Sequence, residues 1–294
     1  MRLDQSLVTA LEESLQPVLG SHLAIQDFKP VGGGCINNGG KLITNEGPFF
    51  VKYNDDRYEG MFDTEARGLK LLNDADAIHI PRVFATGKAP GNQIFIILEW
   101  IESKGRQKDF WEQFGHELAN LHKVSDDSFG LDFDNYIGSL PQYNNRHSNW
   151  VDFFKEERIE RQIAIGQDKG SLPKDTIKGL RNLYPHLNDI FPDESPALLH
   201  GDLWGGNFMV NEAGEPALID PAVYFGHREM ELAFTQMFGG FDQQFYQAYH
   251  EAFPLEKGFE ARKDLYNIYP VLVHVNLFGG AYLYELQEII NRYQ

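Results

Sequence analysis

The chain changes character near residue 100, where the period of its apolar positions shifts. Before that point the apolar residues come in short runs broken by turn formers. Lys41-Leu42-Ile43-Thr44 and Pro48-Phe49-Phe50-Val51-Lys52-Tyr53 read as strands joined through Asn45-Glu46-Gly47. Met61, Phe62, Leu69 and Leu72 then predict an amphipathic helix over 61–73. Pro81-Arg82-Val83-Phe84 opens another extended segment, and residues 93–101 make a continuous apolar strand of the kind buried on both faces. After Glu102-Ser103-Lys104-Gly105 the spacing turns helical. Trp111, Phe114, Leu118 and Leu121 predict a helix over 110–124. Residues 126–149, rich in Asp, Asn, Gly and Ser, read as loop. Helices follow over 150–165, 176–187 and, aromatic-rich, between 228 and 293, and residues 1–20 read as an amphipathic helix. Strands first and helices afterwards predict an α+β fold of two lobes. The small β-rich lobe is expected over 1–98, a hinge over 99–104, and a larger, mostly helical lobe over 105–294.

Composition narrows the partners more than the fold. The 294 residues exceed a typical single domain and suit two lobes. The net charge of −17 argues against nucleic acid or an anionic membrane as a partner. It also means that a polyanionic ligand needs local cations to be held. No run of 18 apolar residues appears, and Asp4, Glu12 and Glu13 stand where a signal peptide would carry basic residues, so a cytoplasmic protein is expected. A single cysteine, Cys35, excludes an internal disulfide framework.

The densest chemistry lies in His200-Gly201-Asp202-Leu203-Trp204-Gly205-Gly206-Asn207. Phosphoryl transfer needs an acidic group to orient the attacking hydroxyl and oxygen ligands to hold Mg²⁺ on the phosphates, and the Asp-x-x-x-x-Asn spacing is that of a kinase catalytic loop. Ala197-Leu198-Leu199 leads in like a buried strand. Phe208-Met209-Val210 and Ala217-Leu218-Ile219, with the turn-rich Asn211–Glu215 between them, predict a hairpin. Antiparallel pairing brings its outer ends together, so Asn207 and Asp220 converge as two oxygen ligands for Mg²⁺. Taken singly, the His-Gly-Asp would read as a capped turn and the Asp before Pro221 as a turn residue; their combination points to catalysis.

The first lobe supplies the matching nucleotide side. Lys52 lies on an apolar strand, where a solvated lysine is out of place, and Glu65 lies on the next helix. This is the lysine-on-strand, glutamate-on-helix pair that positions nucleotide phosphates in kinases. The alternative is an exposed edge-strand lysine with a solvated glutamate. Gly32-Gly33-Gly34 forms a glycine-rich turn whose backbone N–H groups can approach phosphate oxygens, although alone it reads as a flexible turn. Glu99-Trp100-Ile101 ends the apolar strand at the hinge, where backbone groups would bind adenine between apolar walls such as Val51 and Leu98.

These motifs, with Ile219-Asp220-Pro221-Ala222 and Tyr224-Phe225-Gly226-His227-Arg228-Glu229-Met230-Glu231-Leu232-Ala233, closely resemble the fructosamine kinase family over nearly the whole chain, from about residue 20 to the C-terminus. The resemblance implies the aminoglycoside phosphotransferase, protein kinase-like fold. It also implies ATP-dependent phosphorylation of the sugar 3-hydroxyl of ketosamines, small or protein-bound, in the repair of glycation. It makes Asp202 the base, Asn207 and Asp220 the Mg²⁺ ligands, and Lys52 the phosphate cation braced by Glu65. Ribulosamines, erythrulosamines and fructosamines are the acceptors it suggests. Trp204 either packs on the acceptor or lies as a core residue beneath the loop. His227 is placed with the substrate residues at the entry of the next helix. Glu231 either binds the substrate amine or pairs with Arg228, and His200 reads as a strut of the loop. Cys35 reads either as a small buried hydrophobe or as a redox-sensitive thiol that could link two copies, so the chain is expected to be a monomer or a redox-sensitive homodimer. Two competing readings remain: a kinase of another small hydroxyl acceptor (an aminoglycoside, choline or homoserine) and a nucleotide-binding pseudokinase scaffold.

Overall fold

The computed structural model describes residues 3–20, 22–32 and 36–293. Gly33, Gly34 and Cys35 lie outside the described residues. The chain forms two compact units. One comprises Met1–Phe110 and Gly206–Pro221, the other Trp111–Gly205 and Ala222–Gln294.

The first unit opens with α1 (Gln5–Leu19), capped by Asp4, whose Oδ1 accepts from the Ser6 N–H at 2.8 Å, and closed by Gly20 in the left-handed region. Strands β1 (Ile25–Pro30), β2 (Asn38–Thr44) and β3 (Gly47–Asp55) follow, then α2 (Met61–Asp74), β4 (Val83–Ala89) and β5 (Gln93–Glu99). The sheet order is β1-β2-β3-β5-β4, with every neighbouring pair antiparallel. Alternation assigns the two faces. Val51, Tyr53, Phe95 and Ile97 join Leu11 and Leu15 of α1 in one apolar cluster. Lys52, Ile94, Ile96 and Leu98 therefore point to the opposite face, where α2 brings Glu65 to Lys52. Helices on both faces explain why Ile94–Leu98 are buried without a break. β3 is interior to the sheet, which removes the edge-strand alternative for Lys52.

The second unit starts with α3 (Phe110–His122). Residues 126–149 are not the plain loop that their composition suggests. They contain a small hairpin, β6 (Asn135–Ile137) and β7 (Leu140–Gln142). Its strands are too short for alternation to register, and buried amides hold it in place: the side chain of Gln142 donates to that of Asn135 at 2.8 Å. α4 (Trp150–Phe153) runs through a π-helical stretch (Phe154–Glu160) into α5 (Arg161–Lys169). After α6 (Lys174–Leu183) and α7 (Leu187–Ile190) comes β8 (Ala197–Leu199), fully buried. The chain then returns to the first unit for the hairpin β9 (Phe208–Val210) and β10 (Pro216–Leu218). It re-enters the second unit with β11 (Tyr224–Gly226), which pairs antiparallel with β8. α8 (Arg228–Thr235), α9 (Gln243–Ala252), α10 (Phe259–Phe278) and α11 (Ala281–Arg292) complete it. No helix among the described residues is long and apolar enough to cross a membrane.

Candidate active site

In the first unit one buried lysine gathers two carboxylates. Lys52 is 6% exposed, and its Nζ donates to Glu65 Oε1 at 2.7 Å and to Asp220 Oδ1. Burial by itself would lower the Lys52 ammonium; Asp220 and Glu65 outweigh it and hold the group above its usual value. Burial pushes the Glu65 carboxyl up, against the pull of Lys52. Lys52 is thus a fixed positive charge in a strongly acidic protein, aimed by strand register and not by a flexible stem. Gly39 of β2 lies directly across from Lys52 and covers it with no side chain.

The hairpin behaves as its residue pattern predicts. Phe208 pairs with Leu218, and the Ile219 N–H donates to the Asn207 carbonyl at 3.0 Å, so Asn207 and Asp220 sit at the same open end. Asn207 is buried, and the Asp220 side chain is 43% exposed. Asp220 adopts φ +56°, a left-handed conformation uncommon outside glycine. An amide and a carboxylate at one end of a hairpin form the all-oxygen set that suits a hard divalent cation such as Mg²⁺. At the hairpin turn, Asn211 Oδ1 accepts from the Ala213 and Glu215 N–H groups at 2.9 and 3.0 Å.

Around the end of β5, each side chain has protein partners. Glu99 Oε2 accepts from the Arg82 N–H at 3.1 Å, and Oε1 faces His79 Nε2 at 3.6 Å; His79 and the Arg82 N–H hold the Glu99 carboxyl below its usual range. Trp100 donates to Glu102 Oε2 at 2.7 Å, with the Lys41 ammonium 4.3 Å above its ring. Ile101 is buried. The Glu99 and Trp100 side chains are thus engaged within the protein. Gly32, at the edge of the described residues, lies two residues after the end of β1.

In the second unit, the loop after β8 is built by hydrogen bonds from below. Glu231 of α8 accepts from the Gly201 N–H at 2.6 Å and from the His200 N–H at 3.1 Å. His122 of α3 meets Glu231 Oε2 at 2.9 Å and the Tyr249 hydroxyl at 2.8 Å. Burial would raise the Glu231 carboxyl, but His122 and the loop N–H groups outweigh it and keep it low, hence ionised. His122 therefore donates from Nε2 to the Glu231 carboxylate. The Asp202 N–H donates to His200 Nδ1 at 3.3 Å, and the His200 carbonyl accepts from the Ala222 N–H at 2.9 Å. Gly201 has φ +84°, and a Cβ there would strike the Ala222 carbonyl oxygen, so only glycine fits.

Two substrate readings require correction. Glu231 is 3% exposed with its oxygens engaged by His122 and the loop, and Arg228 pairs with Glu194 at 2.6 Å instead. His227 is 1% exposed, stacked on Trp150 at 4.5 Å, with Nδ1 3.0 Å from the Tyr266 hydroxyl. Burial pushes its imidazole down to about 3, helped by Arg262 and Arg228, so it stays neutral. Neither side chain is placed to touch a substrate. Trp204 differs. It is 39% exposed, with Phe238 edge-on at 5.9 Å, so it is not the core residue that one reading allowed.

The family model described as "Fructosamine kinase" matches residues 7–294. The chain belongs to the fructosamine kinase family. It is 38% identical over 286 residues to a "probable ketoamine kinase" of Synechocystis sp., covering 96% of this chain and 95% of that protein. It is 36% identical to the "protein-ribulosamine 3-kinase, chloroplastic" of Arabidopsis thaliana, covering 93% of this chain and 84% of that one. Among solved structures, a candidate fructosamine-3-kinase of Haemophilus somnus 129PT superposes with a TM-score of 0.87 at 30% identity, covering 96% of each chain. The fold of this fructosamine kinase family member is the protein kinase-like α+β one.

Sequence reasoning missed the residues that hold the site from behind. His122 and Tyr249 brace Glu231, and β6–β7 brace the segment after Asp220. Asn135 Nδ2 donates to the Val223 carbonyl at 2.8 Å, and Gln142 Nε2 donates to that of Ala222 at 2.9 Å while Gln142 Oε1 accepts from the Tyr269 hydroxyl at 2.6 Å. Polar residues at apolar helix positions, such as His122 after Leu118 and Leu121, were the one available signal.

Proposed function

We propose that this protein is an ATP-dependent kinase that transfers a phosphoryl group to the sugar 3-hydroxyl of ketosamines, the adducts of a sugar with an amine, whether free or borne on a protein. Family membership and relatives named for ketoamine and protein-ribulosamine kinase activity support the substrate class. The observation that carries the phosphoryl-transfer reading is the buried Lys52 ammonium held between Glu65 and Asp220.

Asp202 orients the acceptor hydroxyl and takes its proton as the new phosphorus–oxygen bond forms and the bond from the γ-phosphorus to the β,γ-bridging oxygen breaks, with ADP as the leaving group. Lys52 holds the α- and β-phosphates, and Glu65 fixes the rotamer of Lys52. The hinge backbone at Glu99–Ile101 grips adenine. Asn207 and Asp220 would hold Mg²⁺, which when bound would offset phosphate charge alongside Lys52. Trp204 offers its ring to the apolar face of the sugar. Little covalent chemistry falls to the protein, so positioning and charge stabilisation account for the catalysis.

The test is a panel. Purified protein with ATP and Mg²⁺ is offered lysine carrying ribulosamine, erythrulosamine or fructosamine, together with choline and an aminoglycoside, and products are read by mass spectrometry. Phosphorylation of at least one ketosamine, in preference to the last two, is expected; modification of choline or the aminoglycoside alone would sink the substrate assignment. ATP binding without turnover on any acceptor would favour the scaffold reading.

A further inference from the structure

The hairpin β9–β10 carries both proposed metal ligands, yet each of its strands is three residues long. A two-stranded ribbon of that size is not stable alone. It must be anchored, and one residue ties it to the end of β5. The His79 carbonyl accepts from the Leu218 N–H at 2.9 Å, so residue 79 forms a single parallel bridge beside Ala217. The side chain makes a second tie. Asn211 Oδ1 is committed to the Ala213 and Glu215 N–H groups, so Asn211 turns its Nδ2 toward His79 Nδ1, 3.2 Å away. His79 Nδ1 must then accept, which puts the ring proton on Nε2, facing Glu99 Oε1 at 3.6 Å. One imidazole thus spans the gap from the turn of the hairpin to the last residue of β5, all within the first unit.

We propose that His79 is a positioning residue. It sets the hairpin bearing Asn207 and Asp220 in register with the strand end that grips the base, so that binding of the metal–nucleotide complex depends on it more than binding of bare nucleotide does. Mg²⁺ tolerates little departure from octahedral geometry, so a small shift of Asp220 relative to the base would be felt mainly when the ion is present. The inference rests on the kinase reading above but not on the identity of the acceptor.

The experiment uses the full chain without acceptor. Affinity for a non-hydrolysable ATP analogue is measured by calorimetry with Mg²⁺ and with EDTA, for wild type, His79→Ala and His79→Asn. The alanine variant should bind the Mg²⁺ complex about tenfold more weakly. Its metal-free affinity should hold. The asparagine variant, whose Oδ1 replaces the Nδ1 acceptor toward Asn211, should recover most of the loss. Equal weakening with and without Mg²⁺, or a lower Tm with unchanged affinities, would overturn the proposal. Failure to phosphorylate any ketosamine would instead overturn the substrate reading and leave this result standing.

Discussion

Two regions of the molecule carry the proposed chemistry, and they are built on opposite principles. In the β-rich unit, Lys52 meets Glu65 and Asp220 directly, so charged residues orient charged residues at short range. In the helical unit, the loop carrying Asp202 is held through its backbone, by Glu231 beneath it and His122 and Tyr249 beneath that. The first region must present charge to a ligand, so its functional atoms are also its structural atoms. The second must place one carboxylate, so rigidity is delegated to a buried layer that no ligand reaches. A substitution in the first region should therefore change binding and stability together, whereas one in the buried layer of the second should change catalysis and stability without changing nucleotide affinity.

The largest expected effect tests the loop itself. Asp202→Asn should lower kcat about 10³-fold while nucleotide affinity stays at the wild-type value, measured by steady-state kinetics and calorimetry. Lys52→Ala should reduce kcat/KM for ATP on the order of 10²-fold. It should also lower stability by about 3 kcal/mol in denaturant titration, because Glu65 is left buried without its cation. Glu231→Gln should destabilise the fold by about 2 kcal/mol and lower kcat with little change in KM for ATP. If it weakened nucleotide binding and spared kcat, the division between the regions would fail.

The smallest effect concerns pH. Burial holds the folded His227 imidazole down at about 3 against its usual 6.5, so below about pH 6.5 the unfolded chain takes up a proton that the folded chain refuses. This contribution to stability is complete above 6.5 and is lost as pH falls toward 3, by about 1.4 kcal/mol per pH unit. Thermal melts at pH 7.5, 6 and 5 should show the decline, and His227→Phe should flatten it. An unchanged slope in that variant would assign the acid sensitivity elsewhere.

The direct contacts were the legible part of the site. Lys52, Glu65, Asn207 and Asp220 stand out because phosphate and metal chemistry accept few residue types and because hairpin geometry relates 207 to 220 by simple counting. The strands and helices that carry them were legible for a similar reason, since β5 and α2 are long enough for their periods to show. The support was not. Glu231 and His227 looked like substrate residues because a polar side chain beside a motif reads as exposed, and only packing revealed that Glu231 is buried beneath the loop and His227 against Trp150 and Tyr266. The β6–β7 hairpin escaped because three-residue strands carry no period.

By itself, then, the chain order determined the class of fold, the chemistry of the residues proposed for phosphoryl transfer and, through the Leu203-Trp204-Gly205-Gly206 filler between Asp202 and Asn207, the family. Local pattern suffices wherever chemistry or periodicity restricts the residue at a position. Tertiary structure decided which polar residues face inward: His122 beneath Glu231, Gln142 behind Ala222, His79 between Asn211 and Glu99. Those partners lie 109, 80, 132 and 20 residues apart. A buried hydrogen bond depends on what folding brings alongside, and no local pattern encodes that.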